Sequence, residues 1–494
     1  MLEQIISDSQ LYLGVLGWAL LGFLLIIVQI IFRSSLVTLW STLVGLTLLL
    51  IYAFLSFSPE LDANLFFGRA KIDSLTQFLN ILGILVSLGV VLMSVPGLME
   101  PRGLSLKKAM DQSSEFLICI VFAGFGMAVT VSALDFTSLF LGIETLAIAF
   151  YGLCGFYRFE ERSTESALKY LLVGAFSTCV LLFGIALIYG ATGSTQFLEI
   201  FKTIEVGDSA LVRLGCAFLV GGLAFKLALV PFHLYTPDVY EGAPTPITAF
   251  LATAVKIAAI GAGLRIFQGA LAPVSEMWET LWLSLCVLSI IFGNLAALQQ
   301  KTIKKLLAFS SISHAGFLGL GLIVAGGGDE AYYSLLAYLL VYCFMSLGIF
   351  ALIAWIENRD EVFMVEDLRS LGLKKPLVGI LMGVFVLGLA GIPPFAGFMI
   401  KLWIFQALIE QGFLNIALLA VVGAVIGLGY YLRILMLLFM GKEDSPGLSV
   451  KWGLAADRAF LLRFVVLITL AVTLLGGLFP NFYADWIFSV IAIK

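Results

Sequence analysis

The chain alternates between apolar runs of roughly 20 residues, the length a helix needs to cross a bilayer, and short polar clusters that hold most of its charge. This pattern predicts about fourteen spanning helices, the first near 10–32 and the last near 459–480. Between them lie spans near 35–57, 74–98, 115–134, 136–157, 164–192, 209–231, 244–268, 275–299, 302–326, 331–357, 376–411 and 412–440. The longest polar stretches, Ser58 to Asp73 and Gly441 to Asp457, are loop-sized, so a separate soluble domain is not expected. Two spans contain helix breakers: the seventh in FKLALVPFHLYTPD, where Lys226 precedes Pro231, and the twelfth in LAGIPPFAGFMIKLW, where Pro393 and Pro394 precede Lys401. They lie five helices apart. An odd offset reverses the direction of entry into the membrane, as an inverted five-helix repeat requires, here spans 4–8 against 9–13. The expected organisation is a three-helix segment over 1–112, a first repeat over 113–270, a second over 271–440, and a loop, final span and tail over 441–494.

Composition fixes the class. Of 494 residues, 61% are hydrophobic and 12% charged, with a mean hydropathy of +1.08. Soluble domains run at about 45–50% apolar and about 25% charged, which excludes a water-soluble globular protein and leaves an all-α polytopic membrane protein. The formal charge of −4 comes without a long basic or acidic block, so a nucleic-acid partner is not indicated. Alternate connections carry about sixteen Lys and Arg, among them Arg33, Arg102, Arg158, Lys301, Lys305, Arg369 and Lys442. The other set carries about five: Arg69, Lys71, Lys202, Arg265 and Lys494. The richer loops are expected on the cytoplasmic side and both termini outside. Glu3 and Asp8 stand where a secretory signal needs basic residues, so the first span is expected to be retained. Six scattered cysteines without a CxxC pair read as small buried hydrophobes rather than a zinc or iron–sulfur site. Nucleotide and metal motifs such as GxGxxG or HExxH are missing from the sequence, and two histidines are too few for a haem-rich site.

Four ionisable residues fall deep in spans: Glu144 in LFLGIETLAIAF, Lys226 at the seventh span, Lys256 in FLATAVKIAAI, and Lys401 after the second break. Each costs roughly 2.5–3.5 kcal/mol on insertion scales, so each is a functional candidate. A purely structural ion pair accounts for one lysine and one carboxylate and leaves two lysines over. Burial lowers the pKa of a lysine from about 10.4 to roughly 5–6, while a nearby carboxylate pulls it back, so neighbours control its protonation. The only two histidines, His233 past the first break and His314 in SSISHAG, add groups that titrate near neutrality. For both, a satisfied core histidine is the bland alternative. Lys169, Arg265 and Arg433 read as snorkelling or interfacial.

The segment FHLYTPDVYEGAPTPITAFLATAVK, Phe232 to Lys256, closely resembles the signature of subunit N among the antiporter-like membrane subunits of proton-pumping NADH:quinone oxidoreductase, complex I. ESALKYLLVGAFST, KTIKKLLAFSSISHAG and LAGIPPFAGFMIKLW add to the likeness, which covers roughly residues 115–440. Sister subunits L and M and cation/proton antiporters typically carry a histidine in the first motif where this chain has Tyr240. Tyr235 is a further departure, since related sequences often have Trp. The resemblance implies a fourteen-helix fold with two inverted repeats and a proton-translocating role. It maps the family's key residues onto Glu144, Lys226, Lys256 and Lys401.

On this reading Glu144 stabilises protonated Lys226, a signal from neighbouring subunits weakens the pair, and the proton moves by way of Lys256 and His314 to Lys401. Flavin, iron–sulfur clusters and quinone are expected in partner subunits and not in this chain. Expected partners are other membrane-arm subunits and lipids, in an energy-transducing membrane such as the bacterial inner membrane. Three alternatives remain at this point: a stand-alone Na⁺ or K⁺/proton antiporter, a purely structural subunit, and the pump module of a hydrogenase- or ferredoxin-linked complex. The shortage of intramembrane carboxylates, which hard cations prefer, weighs against the first.

Overall fold

The computed structural model describes residues 2–99, 106–207, 209–356, 363–440, 456–481, 483–484 and 487. Arg102, Arg359, Lys442, Lys451 and Lys494 lie outside the described residues, as does most of the 441–457 loop. The chain runs α1 Leu2–Leu11, α2 Leu13–Phe32, α3 Ser35–Leu55, β1 Ala63–Leu65, β2 Ala70–Ile72, α4 Ser74–Met99, α5 Leu106–Ser132, α6 Phe136–Cys154, α7 Glu161–Thr192 and α8 Phe197–Val206. It continues with α9 Ala210–Leu227, α10 Thr236–Gly242, α11 Thr245–Arg265, α12 Ser275–Leu298, α13 Ile303–Val324, α14 Asp329–Ile356 and α15 Leu371–Lys374. It closes with α16 Pro376–Ala390, α17 Ala396–Glu410, α18 Leu414–Met440 and α19 Ala456–Leu478.

Thirteen helices among the described residues are long and apolar enough to cross a membrane. The run read as the twelfth span holds two shorter helices, α16 and α17, so the expectation of about fourteen spans with two breaks holds. Both breaks begin with a residue in the left-handed region, which stops a helix at its C-terminus. Ala228 (φ 59) follows α9 and Gly391 (φ 81) follows α16. The Gly391 N–H bonds back to Leu387 and Gly388, and Pro393 and Pro394 then prevent the turn from continuing as α-helix.

Three small elements were not expected. The N-terminus forms α1 ahead of the first span, β1 and β2 pair antiparallel in the loop before α4, and α8 follows the sixth span. Phe197, Ile200 and Ile204 are the buried residues of α8 and share one helical face, a stripe too short to register as a span. The cysteines also differ from expectation: Cys154, Cys216, Cys286 and Cys343 are buried, but Cys119 is intermediate and Cys179 exposed. An apolar run does not reveal which face of its helix is turned outward.

The described chain divides into two compact units, one built from Met1–Lys226 and Ala254–Leu281, the other from Leu227–Thr253 and Trp282–Phe488. In the first, glycines let helices approach backbone to backbone. A Cβ on Gly126 of α5 would stand 2.7 Å from the Gly142 carbonyl of α6, and one on Gly184 of α7 would stand 2.9 Å from the Leu219 nitrogen of α9. In the second, a Cβ on Gly293 of α12 would stand 2.9 Å from Phe309 O and Ser313 N of α13. These contacts set the backbones that carry Glu144, Thr178, Lys226 and His314.

Candidate functional site

In the first unit, Glu144 at the middle of α6 faces Lys226 in the last turn of α9, with Lys226 Nζ 4.0 Å from Glu144 Oε1. The lysine is 9% exposed and the carboxylate 22%. The same carboxylate oxygen accepts a 2.6 Å hydrogen bond from Thr178 Oγ1 of α7. At 4.0 Å the ammonium is a loose ion-pair partner, whereas the hydroxyl is in full hydrogen-bond contact. A cavity of about 20 Å³, enough for one water, lies against Lys226 between Ile143, Leu146, Tyr170, Leu223 and Ala258. Its wall from α11 is made of Val255, Ala258 and Ala259, which flank Lys256 in the sequence. Lys256 itself is buried at 3% exposure.

The second unit holds the other three candidates. Lys401 of α17, 7% exposed, donates to the carbonyls of Leu389 at 3.0 Å and Ala390 at 2.9 Å, the last residues of α16 before the break. Those carbonyls have no helical partner, and the negative end of a helix favours a cation. Lys401 Nζ also lies 5.5 Å from the centre of the Phe317 ring. His314 of α13, 2% exposed, has Tyr338 OH of α14 at 2.7 Å from Nδ1 and Tyr431 OH of α18 at 3.4 Å from Nε2. His233, in the first break, packs edge-on against Phe292 with ring centres 5.0 Å apart, and its buried Nδ1 has no hydrogen-bond partner among the described residues. The break beside it is tied by the Val230 N–H donating to Ser289 Oγ at 2.8 Å.

Of the side residues, Lys169 is 40% exposed and pairs with Glu165 at 2.6 Å, and Arg433 reaches Glu366 and the carbonyls of Leu298 and Gln300. Arg265, read as snorkelling or interfacial, forms a two-pronged pair with Asp73 just ahead of a span, both contacts 2.6 Å, at only 10% exposure. Burial alone would push the Asp73 carboxyl up. The Arg265 guanidinium, the Thr76 N–H and Lys71 outweigh it and hold the group well below the usual carboxylate range. Sequence reasoning also missed Thr178, Tyr338 and Tyr431. Their visible signals are the polar cluster GAFST, the repeated tyrosines of AYYSLLAYLLVY and the Tyr430–Tyr431 pair inside apolar runs. A group of three or more potential metal-ligating side chains is not found among the described residues.

A bundle of spans with two interrupted helices and lysines at the interruptions has the layout of a membrane transport module. The model of the family described as "NADH:quinone oxidoreductase/Mrp antiporter, TM" matches residues 133–427. NADH-quinone oxidoreductase subunit N of Rhodospirillum rubrum is 34% identical over 472 residues, covering 94% of this chain and 93% of that protein. Subunit N of Parvibaculum lavamentivorans is 37% identical over 399 residues, 80% of each. A chain of the Thermus thermophilus respiratory complex I, solved with bound aureothin, superposes with a TM-score of 0.79 at 31% identity, over 96% of this chain and 98% of that one. A chain of the Mrp complex from Dietzia shares the fold at 21% identity, TM-score 0.78, over 98% of this chain and 97% of that one. The chain belongs to the NADH:quinone oxidoreductase/Mrp antiporter membrane family and, within it, to the subunit N branch of complex I.

Proposed function

We propose that this complex I membrane-arm subunit moves protons by handing them between Glu144, Lys226, Lys256, His314 and Lys401, with His233 at the first break as a further carrier. The observation that carries the reading is the placement of buried lysines at both helix breaks: Lys226 against a carboxylate, Lys401 against freed carbonyls. Helix ends and free carbonyls can hold charge and water at membrane depth only where they line a cavity. Glu144 and Thr178 supply the countercharge and the tether at Lys226. A displacement of Glu144 driven by neighbouring subunits frees the lysine's proton, and the carriers that follow receive it in turn.

The chain itself contributes no redox group; flavin, iron–sulfur clusters and quinone sit in partner subunits, where electrons pass from NADH. The repeats are the 113–270 and 271–440 segments. The membrane is the bacterial inner membrane, with the lysine-rich loops inside and both termini in the periplasm, and sister antiporter-like subunits and lipids cover the flanks. The test is proton pumping per NADH oxidised in membrane vesicles holding the whole complex. Lys226→Ala and Glu144→Ala are expected to assemble normally and to lose most of the pumping; an unchanged proton-to-electron ratio in both contradicts the reading.

A further inference from the structure

His314 is the middle member of a hydrogen-bonded string that crosses three helices. Ser310 of α13 bonds to Tyr431 OH of α18, Tyr431 OH stands 3.4 Å from His314 Nε2, and His314 Nδ1 stands 2.7 Å from Tyr338 OH of α14. Ser310, Tyr431, His314 and Tyr338 are all 2% exposed or less. A buried histidine that only fills space is commonly pinned by a carbonyl or a carboxylate, which accepts and never donates, and so fixes one tautomer. Here both ring nitrogens meet hydroxyls, which donate and accept equally well. Either tautomer is therefore satisfied.

Asn294 shows the contrast within the same core. Its amide nitrogen shares its two hydrogens among the Ile290 and Gly423 carbonyls and Ser313 Oγ, and its oxygen accepts from Tyr430, so its orientation is fixed on every side. The fold thus pins one polar group and leaves its neighbour on α13 reversible.

We infer that His314 is a two-ended proton bridge, with Tyr431 its relay partner at Nε2 and Tyr338 its relay partner at Nδ1. The inference rests on the proposed relay and extends it to two residues outside the lysine series. In the step, Tyr431 takes a proton from the Ser310 side and gives its own to Nε2. The ring releases the Nδ1 proton to Tyr338, which gives its own hydrogen to a water molecule beyond it. One proton enters and one leaves; each hydroxyl keeps one hydrogen, the imidazole ends as the other tautomer, and no electron moves. The string is reset when the hydroxyl directions reverse and the imidazole regains its first tautomer by proton exchange with bound water. The ring of Tyr338 stacks on Phe317 at 6.0 Å, and Lys401 Nζ lies 5.5 Å from the centre of that same Phe317 ring, so one aromatic ring links the Tyr338 end to the lysine.

The experiment uses the assembled complex in membrane vesicles, with Tyr338→Phe and Tyr431→Phe made singly and each combined with His314→Ala. Phenylalanine keeps the ring and removes only the hydroxyl. Each single variant is expected to pump roughly fivefold more slowly, the rate equivalent of one lost hydrogen bond of about 1 kcal/mol. Each is expected to add nothing to the loss caused by His314→Ala, since residues acting through one another are not additive. Unchanged pumping, or losses that multiply with His314→Ala, overturns the inference. If a Phe variant fails to assemble, a fluorotyrosine at that position keeps shape and hydrogen bond while making the hydroxyl more acidic; an altered pumping rate supports the bridge and an unaltered one overturns it. Lys226→Ala in the same vesicles separates the two levels. If it lowers pumping and the tyrosine variants do not, the bridge alone fails; if it too has no effect, the wider relay fails.

Discussion

Thr178 and Lys226 compete for the same oxygen of Glu144, and the geometry favours the threonine: 2.6 Å against 4.0 Å. A tethered carboxylate is close enough to stabilise the ammonium and too far to lock it. Thr178→Val preserves shape and removes the tether, so Glu144 closes on Lys226 and holds its proton more tightly. The expected result is NADH-driven quinone reduction up to about tenfold slower in a normally assembled complex, the equivalent of a charge-assisted bond of about 1.5 kcal/mol. Steady-state turnover of the purified complex checks it, and an equal or faster rate removes Thr178 from the account. The ionisable candidates were legible in the sequence because a charge inside an apolar run stands out against its cost. Thr178, Tyr338 and Tyr431 were not, because hydroxyls and aromatic rings are affordable in a spanning helix, and only the fold shows which of them meet a titratable group.

At the scale of elements, the two breaks solve one problem in two ways. The end of α9 places its lysine against a carboxylate from α6, while the end of α16 receives its lysine from the next helix, α17, with carbonyls as the ligands. A side chain on Gly391 would meet Lys401, with its Cβ 3.1 Å from Nζ, so left-handed backbone and lysine access together call for glycine there. Prolines made both breaks readable in advance. The β1–β2 hairpin and α8 were not readable, since each is shorter than the runs that dominate the pattern.

The start of α4 is joined to the end of α11 by the Asp73–Arg265 pair, which lends itself to a pH test. The folded pKa of Asp73 lies below its unfolded value of about 3.9, so the pair's contribution is complete above about pH 4 and is lost as pH falls toward the folded pKa. Asp73→Asn is expected to cost about 3–5 kcal/mol, because it removes the charged partner of a mostly buried guanidinium. Thermal unfolding of the complex is expected to show that difference undiminished from neutral pH down to about pH 5 and shrinking only below about pH 4. A difference that disappears already near pH 6 contradicts the assignment.

For the whole molecule, the family follows from a likeness spread over most of the chain, and the span count and both breaks were visible in hydropathy and proline placement. The cysteine environments and the Asp73 partner of Arg265 required the packed helices, since neither a lipid-facing side nor a partner nearly two hundred residues away leaves a local mark in the sequence. On the proposed mechanism Glu144, Lys226, Lys256 and Lys401 serve one pathway. The most direct measurement is the proton-to-electron ratio of the assembled complex with Lys226→Ala, Lys256→Ala and Lys401→Ala, singly and all together. A single pathway predicts that each variant alone lowers the ratio by a similar amount and that the triple variant is no worse than the most damaging single one. Losses that accumulate from one substitution to the next, or a triple variant that pumps normally, would contradict it.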